Sequence, residues 1–248
     1  SDWDTSSVTN MSTMFKYAGH STTTWSIGDL SGWNTSSVEN MSNMFDHSGY
    51  SDTTWSIGDL SDWDTSSVEN MSSMFASAGY NVTSWSVVGL SDWDTSSVID
   101  MSSMFASAGR SATTWSIGDL SSWDTSSVTT MRYMFGQAGY NASSFALNLS
   151  SWNTASVTNV YGMFSNAGYN ASSFTLNLSS WNTTGITNSM GDMFYCAGNR
   201  ATTWSVTIPK TNNGTANGPI SNTTSKLYGK TTSYYASPPS GRSFTLAN

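Results

Sequence analysis

The sequence predicts a β-rich α/β solenoid, because one pattern of about 30 residues recurs seven times along the chain. Each copy begins with an anchor Trp, and these residues are spaced 30 positions apart four times and then 29 positions apart twice. A unit with so few apolar residues cannot bury them alone, so we expect the copies to stack as coils with a shared core. The anchors are Trp3, Trp33, Trp63, Trp93, Trp123, Trp152 and Trp181.

The apolar residues fall in columns that recur with the same spacing, and these columns predict the core. In the third copy they are Leu60, Val68, Met74, Phe75 and Trp85. Stacking places each residue against its equivalent in the next coil, which builds a continuous apolar spine. We therefore interpret the Trp, Met and Phe columns as core packing and not as a cofactor site.

Each coil is expected to contain one short helix. In the third copy, Met71, Met74 and Phe75 have the i, i+3, i+4 spacing of one or two helical turns. Asn70 suits the N-cap of this helix, and Gly79 follows it where a helix commonly ends.

Extended segments are predicted on either side of the helix. Residues 60–65 form the first, and Ser66 and Ser67 form a turn that leads to a second segment beginning at Val68. Residues 85–87 alternate in polarity and form the third. The coil is therefore predicted to run strand, strand, short helix, loop, strand.

The repeated motif resembles that of a known group of surface proteins. Leu-x-x-Trp-x-Thr, followed by Val-x-x-Met-x-x-Met-Phe and a Gly, is similar to the BspA-like leucine-rich repeats of bacterial surface proteins, and most of all to their mycoplasma-type branch. The resemblance covers residues 1–208 and implies leucine-rich-repeat-like coils on a cell surface or in a secreted protein. It also implies binding or adhesion as the activity. The period here is longer than that family's usual unit.

The chain divides into a solenoid over residues 1–208 and a polar segment over residues 209–248. Short strands are predicted at 225–228 and 243–246, with a loop at 211–224. We expect this segment to cap the last coil, with a linker to a further segment as the alternative. Since the first copy lacks the Leu that precedes the other anchors, we also expect the chain to be part of a longer one.

Composition narrows the function classes. Only 10% of residues are charged, and Ser, Thr, Asn and Gly dominate the rest of the polar surface, which favours an extracellular or cell-surface location. All sixteen acidic residues lie at or before Asp192, which argues against nucleic acid as a partner. No apolar run reaches the roughly 18 residues of a membrane-spanning helix, and the single cysteine, Cys196, excludes an internal disulfide.

The column that follows the repeated Gly varies most from copy to copy and supplies the candidate ligand-binding residues. Tyr and Arg at exposed loop positions are enriched in interfaces. One interpretation is that this column contacts a glycan or a protein, and the other is that it packs over its own loop. The candidates are Tyr50, Tyr80, Arg110, Tyr140 and Tyr169.

Repeated carboxylates around the anchor Trp supply a candidate metal site at Asp62, Asp64, Asp92 and Asp94. In a stack these groups lie close together and repel one another, so a compensating interaction is needed. Hydrogen bonds from the following Thr-Ser-Ser backbone provide one explanation. Calcium held between coils provides the other, since carboxylates are its usual ligands.

These observations favour a binding or adhesion module that presents its surface to a host or bacterial surface protein or glycan. A structural stalk in a larger surface protein is the alternative. Ice binding by the repeated Thr that includes Thr5 and Thr35 is a weaker possibility. Catalysis is not expected, because His20 and His47 have no partner at a telling spacing and no nucleophile motif occurs.

Overall fold

The computed structural model describes residues 3–187, 190–209, 226–229 and 235–247. Each repeat contributes one short strand, and the strands stack in the same direction to form a β-solenoid. These strands are β1 (Thr24–Ser26), β2 (Thr54–Ser56), β3 (Ser84–Ser86), β4 (Thr114–Ser116), β5 (Ser144–Asn148), β6 (Ser173–Asn177) and β7 (Thr203–Ile208). The strand predicted at residues 85–87 is thus present, one residue earlier.

Paired strands align equivalent residues of neighbouring repeats. Trp25 lies opposite Trp55 in the β1–β2 pair, and Phe145 lies opposite Phe174 in the β5–β6 pair. Their rings point into the core, while the residues on either side of each ring point outward. This alternation has the period of two that a strand with one buried face requires. The apolar columns predicted from the sequence form the core of the solenoid.

The prediction of a short helix in every coil is wrong. Within the described residues the only helix is a 3₁₀ turn at Leu90–Asp92, and the Met-x-x-Met-Phe segment is a ribbon of turns. In the third coil, the amides of Met71, Ser73 and Phe75 donate to carbonyls of the next coil at 2.8–3.0 Å. Ser73 adopts a left-handed φ of 55°, which no α-helix contains.

The spacing of the coils explains why a helix does not form. Packed helices need about 8–10 Å between their axes, whereas paired strands lie about 4.8 Å apart. The rings of Phe45 and Phe75, in the turn ribbons of successive coils, are 5.5 Å apart. A helix in each coil would force the turn ribbons of successive coils to nearly twice the distance that separates these two rings. The leucine-rich-repeat form of the coil is therefore not supported.

The aromatic rings of each core column stack on their equivalents in the next coil. The planes of Trp33 and Trp63 differ by 1°, and those of Trp55 and Trp85 in the strands differ by 10°. Ladders of identical side chains are among the interactions that keep β-sheets in a regular stack. The stacked Trp and Phe columns therefore hold successive coils in register along the solenoid.

Two hydrogen-bond ladders pair anchor Trp indoles and buried Thr hydroxyls inside this core. The indole Nε1 of Trp63 donates to the Leu30 carbonyl of the preceding coil at 3.1 Å. The hydroxyl of Thr65, which is 1% exposed, donates to the Asp94 carbonyl of the following coil at 2.9 Å. Equivalent bonds recur along the stack, so each coil is tied to both neighbours by buried side chains. The Thr column is buried and does not face water.

The end of the chain covers the last coil. Strand β10 (Thr245–Leu246) pairs with β7, and Phe244 packs 5.2 Å from the ring of Phe194. Strands β8 (Leu227–Tyr228) and β9 (Tyr235–Ala236) form a separate antiparallel pair. Both strands predicted in this segment are thus found in shorter form. The loop predicted at 211–224 lies outside the described residues.

Replacing Thr95 by Val should test the buried ladder, because this change removes the hydroxyl that donates to the Asp124 carbonyl at 2.9 Å. We expect the free energy of unfolding to fall by about 1–3 kcal/mol, the cost of an unpaired buried polar group. Thr113→Val is the matched control, since its hydroxyl makes the same kind of bond on the exposed surface. Its loss should stay within about 0.5 kcal/mol. Equal losses in chemical denaturation would contradict this account.

Replacing Gly109 by Ala should test the fit between the end of the turn ribbon and the column of aromatic residues that includes Trp85. Gly109 has a φ of 52°, and a Cβ there would lie 2.4 Å from the Cβ of Trp85. Gly118 has a similar φ of 73° but open space around it, so Gly118→Ala isolates the backbone strain of about 1–2 kcal/mol. Thermal unfolding should show a further loss of about 1–3 kcal/mol for Gly109→Ala. Matching melting temperatures for the two variants would show that this contact is not tight.

Candidate ligand-binding face

The five residues predicted from the variable column form, together with His20, one continuous stack. It is here called the aromatic stripe and consists of His20, Tyr50, Tyr80, Arg110, Tyr140 and Tyr169. The rings of Tyr50 and Tyr80 are 4.5 Å apart, and those of Tyr140 and Tyr169 are 4.7 Å apart with their planes within 1°. Arg110 lies between the two pairs, with its guanidinium 4.3 Å from the Tyr140 ring and 5.5 Å from the Tyr80 ring. The structure therefore brings all five candidates together.

The stacking of the rings determines which of their atoms a ligand can contact. Because each ring covers the next, the faces of the inner rings are used within the stripe, and the five candidates are half-buried. Their edges and hydroxyl groups remain for contact with a partner. Burial, together with the neighbouring Tyr80, raises the pKa of the Tyr50 hydroxyl. The stripe therefore presents a row of hydroxyl groups interrupted by the guanidinium of Arg110.

The first coils hold the start of the stripe in place with charged groups. The rings of His20 and Tyr50 are 5.0 Å apart, and the ring of His47 is 5.3 Å from that of Tyr50. Asp46 contacts both His47, at 2.5 Å, and Lys16, at 2.9 Å. The bond to Asp46 raises the pKa of Lys16. These contacts orient the first rings of the stripe through neighbouring side chains.

A groove of about 660 Å³ lies beside the stripe on the turn ribbons of coils four to seven. Arg110 of the stripe donates from Nε to Oε1 of Gln137 at 3.1 Å, which joins the two features into one face. The volume falls within the range of about 300–1,000 Å³ that is typical of small-molecule sites. The residues that shape the groove include Ser107, Tyr133, Gln137, Asn166, Asp192 and Tyr195.

Sequence reasoning missed the groove, although a signal for it exists. Coils three and four carry Ser73 and Ser103 at one position of the ribbon, where the last three coils carry Tyr133, Gly162 and Asp192. These substitutions break the repeat on a single side of the solenoid. Only the stacking of four coils shows that they belong to one site.

Two local contacts build the walls of the groove. The ring of Tyr133 lies over Gly162, where a Cβ would come within 2.2 Å of the ring carbon Cε1. Tyr161 donates its hydroxyl proton to Oδ2 of Asp192. This bond, with Tyr133 alongside, raises the pKa of Tyr161 to about 12. Tyr161 therefore remains protonated at neutral pH and holds the Asp192 carboxylate in place.

The candidate metal ligands lie elsewhere on the solenoid and are exposed. Oδ1 of Asp64 accepts hydrogen bonds from the amide of Ser66 at 3.1 Å and from its hydroxyl at 2.6 Å. Hydrogen bonds from Ser96 lower the pKa of Asp94. These are the turn contacts that the sequence offered as an alternative to calcium. In the described part of the chain, no three His, Cys, Asp or Glu side chains are grouped to hold a metal ion. Calcium at Asp62, Asp64, Asp92 and Asp94 stays a prediction.

No helix in the described part of the chain has the length and apolar character needed to cross a bilayer.

Comparison with known proteins places the repeat in a family. A family model described as "Mycoplasma protein of unknown function, DUF285" matches four overlapping stretches, residues 1–87, 23–110, 50–167 and 80–206. A search of curated proteins and a search of solved structures gave no significant match. The family match agrees with the mycoplasma-type repeat that the motif predicts, but not with BspA-like leucine-rich repeats in particular. The chain belongs to the DUF285 family of Mycoplasma proteins of unknown function.

Proposed function

We propose that this chain is an extracellular or cell-surface binding module that contacts a protein or glycan partner through the face formed by the aromatic stripe and the groove. One observation carries the proposal. The columns that build the core are nearly identical in every coil, whereas this face carries different residues in successive coils. A scaffold needs identity along the stack, but recognition of one partner needs distinct groups at distinct positions.

The chemistry of the face supports binding over catalysis. Tyr and Arg, which form the stripe, are the residue types most enriched at interface hot spots. Arg110 lies between aromatic rings and bonds to Gln137, so its charge is held at a fixed position. A fixed charge loses little side-chain entropy when a partner binds.

The proposed location rests on composition and on the motif. A surface of Ser, Thr and Asn with 10% charged residues suits a protein exposed outside the cell. The likeness of the motif to BspA-like surface repeats favours the same location and an adhesive role. A stalk that carries another binding domain would use the same scaffold and would leave this face without a partner.

Replacing Arg110 by Glu should test the proposal. We expect the wild-type chain to bind at least one member of an array of host surface proteins and glycans, and the variant to bind it at least tenfold more weakly. Ser127→Glu is the control, because it places the same acidic side chain at an exposed turn away from the stripe. Measurements with and without calcium should also show whether the metal contributes. Binding that survives Arg110→Glu, or silence across the array, would contradict the proposal and favour the stalk.

One observation favours a second candidate function, ice binding, on a surface other than the buried Thr column. The outward positions of β1–β4 carry only Thr and Ser, and strands β1–β7 contain no charged residue. Thr54 and Ser56 lie in register with Thr24 and Ser26 of the preceding coil. Because the paired strands keep equivalent residues opposite each other, these hydroxyls form regular rows, here called the strand face, that could order water.

Replacing Thr114 by Lys should test this second candidate, since the change puts a charge in the middle of the strand face. If the face binds ice, the wild-type chain inhibits ice recrystallisation and Thr114→Lys loses that activity. Ser127→Lys, which carries the same charge away from the strands, should retain it. Wild-type protein without any effect on ice growth would eliminate this candidate.

A further inference from the structure

We infer that the groove on coils four to seven is a binding site for a sugar ring of a neutral glycan. The inference rests on the proposed binding function and names the ligand class for one part of the proposed face. It depends on two tyrosine rings, on amide and hydroxyl groups between them, and on one oriented carboxylate.

The polar lining of the groove both donates and accepts hydrogen bonds. Oε1 of Gln137 accepts from Arg110, which leaves its amide NH₂ to donate. Nδ2 of Asn166 donates to the Ser165 hydroxyl at 3.1 Å, which leaves its carbonyl oxygen to accept. Ser107 adds a hydroxyl that can do either. Sugar hydroxyls also donate and accept, so they match this mixture better than a ligand of one polarity.

Two tyrosines supply the apolar contact that a sugar ring also needs. Tyr133 belongs to coil five and Tyr195 to coil seven, so about 10 Å of groove floor separates their rows. Tyr195 is 59% exposed, and it is one of the few large apolar side chains outside the core. A pyranose ring has a C–H face that packs on an aromatic ring and a rim of hydroxyls that face polar groups.

Gly162 positions the first of these rings. Other coils carry a side chain at this place in the ribbon, such as Ser103 with a φ of 56°, so the φ of 63° at Gly162 does not itself demand glycine. The missing side chain instead makes room for the ring of Tyr133. Restoring a side chain here would move the ring and leave the polar groups of the groove in place.

The one carboxylate that lines the groove favours a ligand with hydroxyl groups. Asp192 is the only charged residue among the lining residues, while Arg110 bonds to the lining residue Gln137 and Arg132 lies 4.9 Å from the ring of Tyr133. Tyr161 occupies Oδ2 of the Asp192 carboxylate, so Oδ1 is left to accept a hydrogen bond from a ligand hydroxyl. A sugar hydroxyl can donate to this oriented acceptor, whereas a carboxylate or phosphate has no proton to donate.

Binding of soluble neutral hexasaccharides of glucose, mannose and N-acetylglucosamine, measured by NMR titration and calorimetry, tests this inference. We expect one of them to bind the wild-type chain. Tyr195→Ala and Gly162→Ser should each weaken that binding at least tenfold, and Asp192→Asn should weaken it less. Ser127→Glu, at an exposed turn outside the groove and the stripe, should leave sugar affinity unchanged within twofold. Tyr50→Ala shows whether the sugar binds at the stripe instead of the groove. Thermal melting and the signals of core residues check that each variant is folded.

The outcomes separate this inference from the proposed function. If no hexasaccharide binds but a protein partner binds and is lost on Arg110→Glu, the sugar site is overturned and the binding module stands. If a sugar binds and only the stripe variants weaken it, the groove assignment is overturned in the same way. If neither sugars nor the wider array gives a partner, both are contradicted. Should Gly162→Ser fail to fold, Tyr195→Ala decides, because its exposed ring contributes little to the core.

Discussion

The structure depends on one constraint, which is that every element of a coil must repeat at the spacing of paired β-strands. Stacked Trp and Phe rings support this spacing along the core, because each ring packs against its equivalent in the next coil. The buried hydroxyls of the Thr column and the indole N–H groups then bond from coil to coil at regular intervals. A residue that fits in one coil therefore fits in all of them, and this explains the near-identity of the core columns.

The same constraint separates scaffold from recognition. Positions inside the stack cannot vary without disturbing two neighbours, so variation is left to side chains outside it. On the face that carries the aromatic stripe and the groove, this variation produces a central Arg110, a ring seated over Gly162 and an oriented Asp192. On the strand face, repetition is kept and gives regular rows of hydroxyls. The two faces are suited to different partners, one to a ligand with distinct groups and the other to a regular surface.

Much of the fold could be predicted from the sequence, because the periodic columns report the core directly. From the second coil onward the Trp, Val, Met and Phe columns are buried as expected, whereas Trp3 and Met14 of the first coil are exposed. The turn at Ser66 and Ser67 is present. The helix was predicted incorrectly for a physical reason. Residues at i, i+3 and i+4 also point inward in a ribbon of i to i−3 turns, so the pattern of Met71, Met74 and Phe75 fits both. The close spacing of the coils, which the pattern does not encode, decides between them.

The candidate site was predictable only in part. The stripe occupies one column, so reading that column found all of its members, although not that their rings would cover one another. The groove is lined by residues from four coils, and its shape depends on the lack of a side chain at Gly162. Such a site becomes visible only when the coils are placed in register.

The central claim is that the Met-x-x-Met-Phe segment bonds to the next coil instead of forming a helix. Scalar coupling across hydrogen bonds, measured by NMR on isotopically labelled chain, tests it most directly. The structure predicts coupling between the amide nitrogen of Phe75 and the carbonyl carbon of Met104, which are joined by a bond of 2.9 Å between nitrogen and oxygen. Coupling from Phe75 to the carbonyl of Met71, four residues earlier, would instead show a helix and contradict the account.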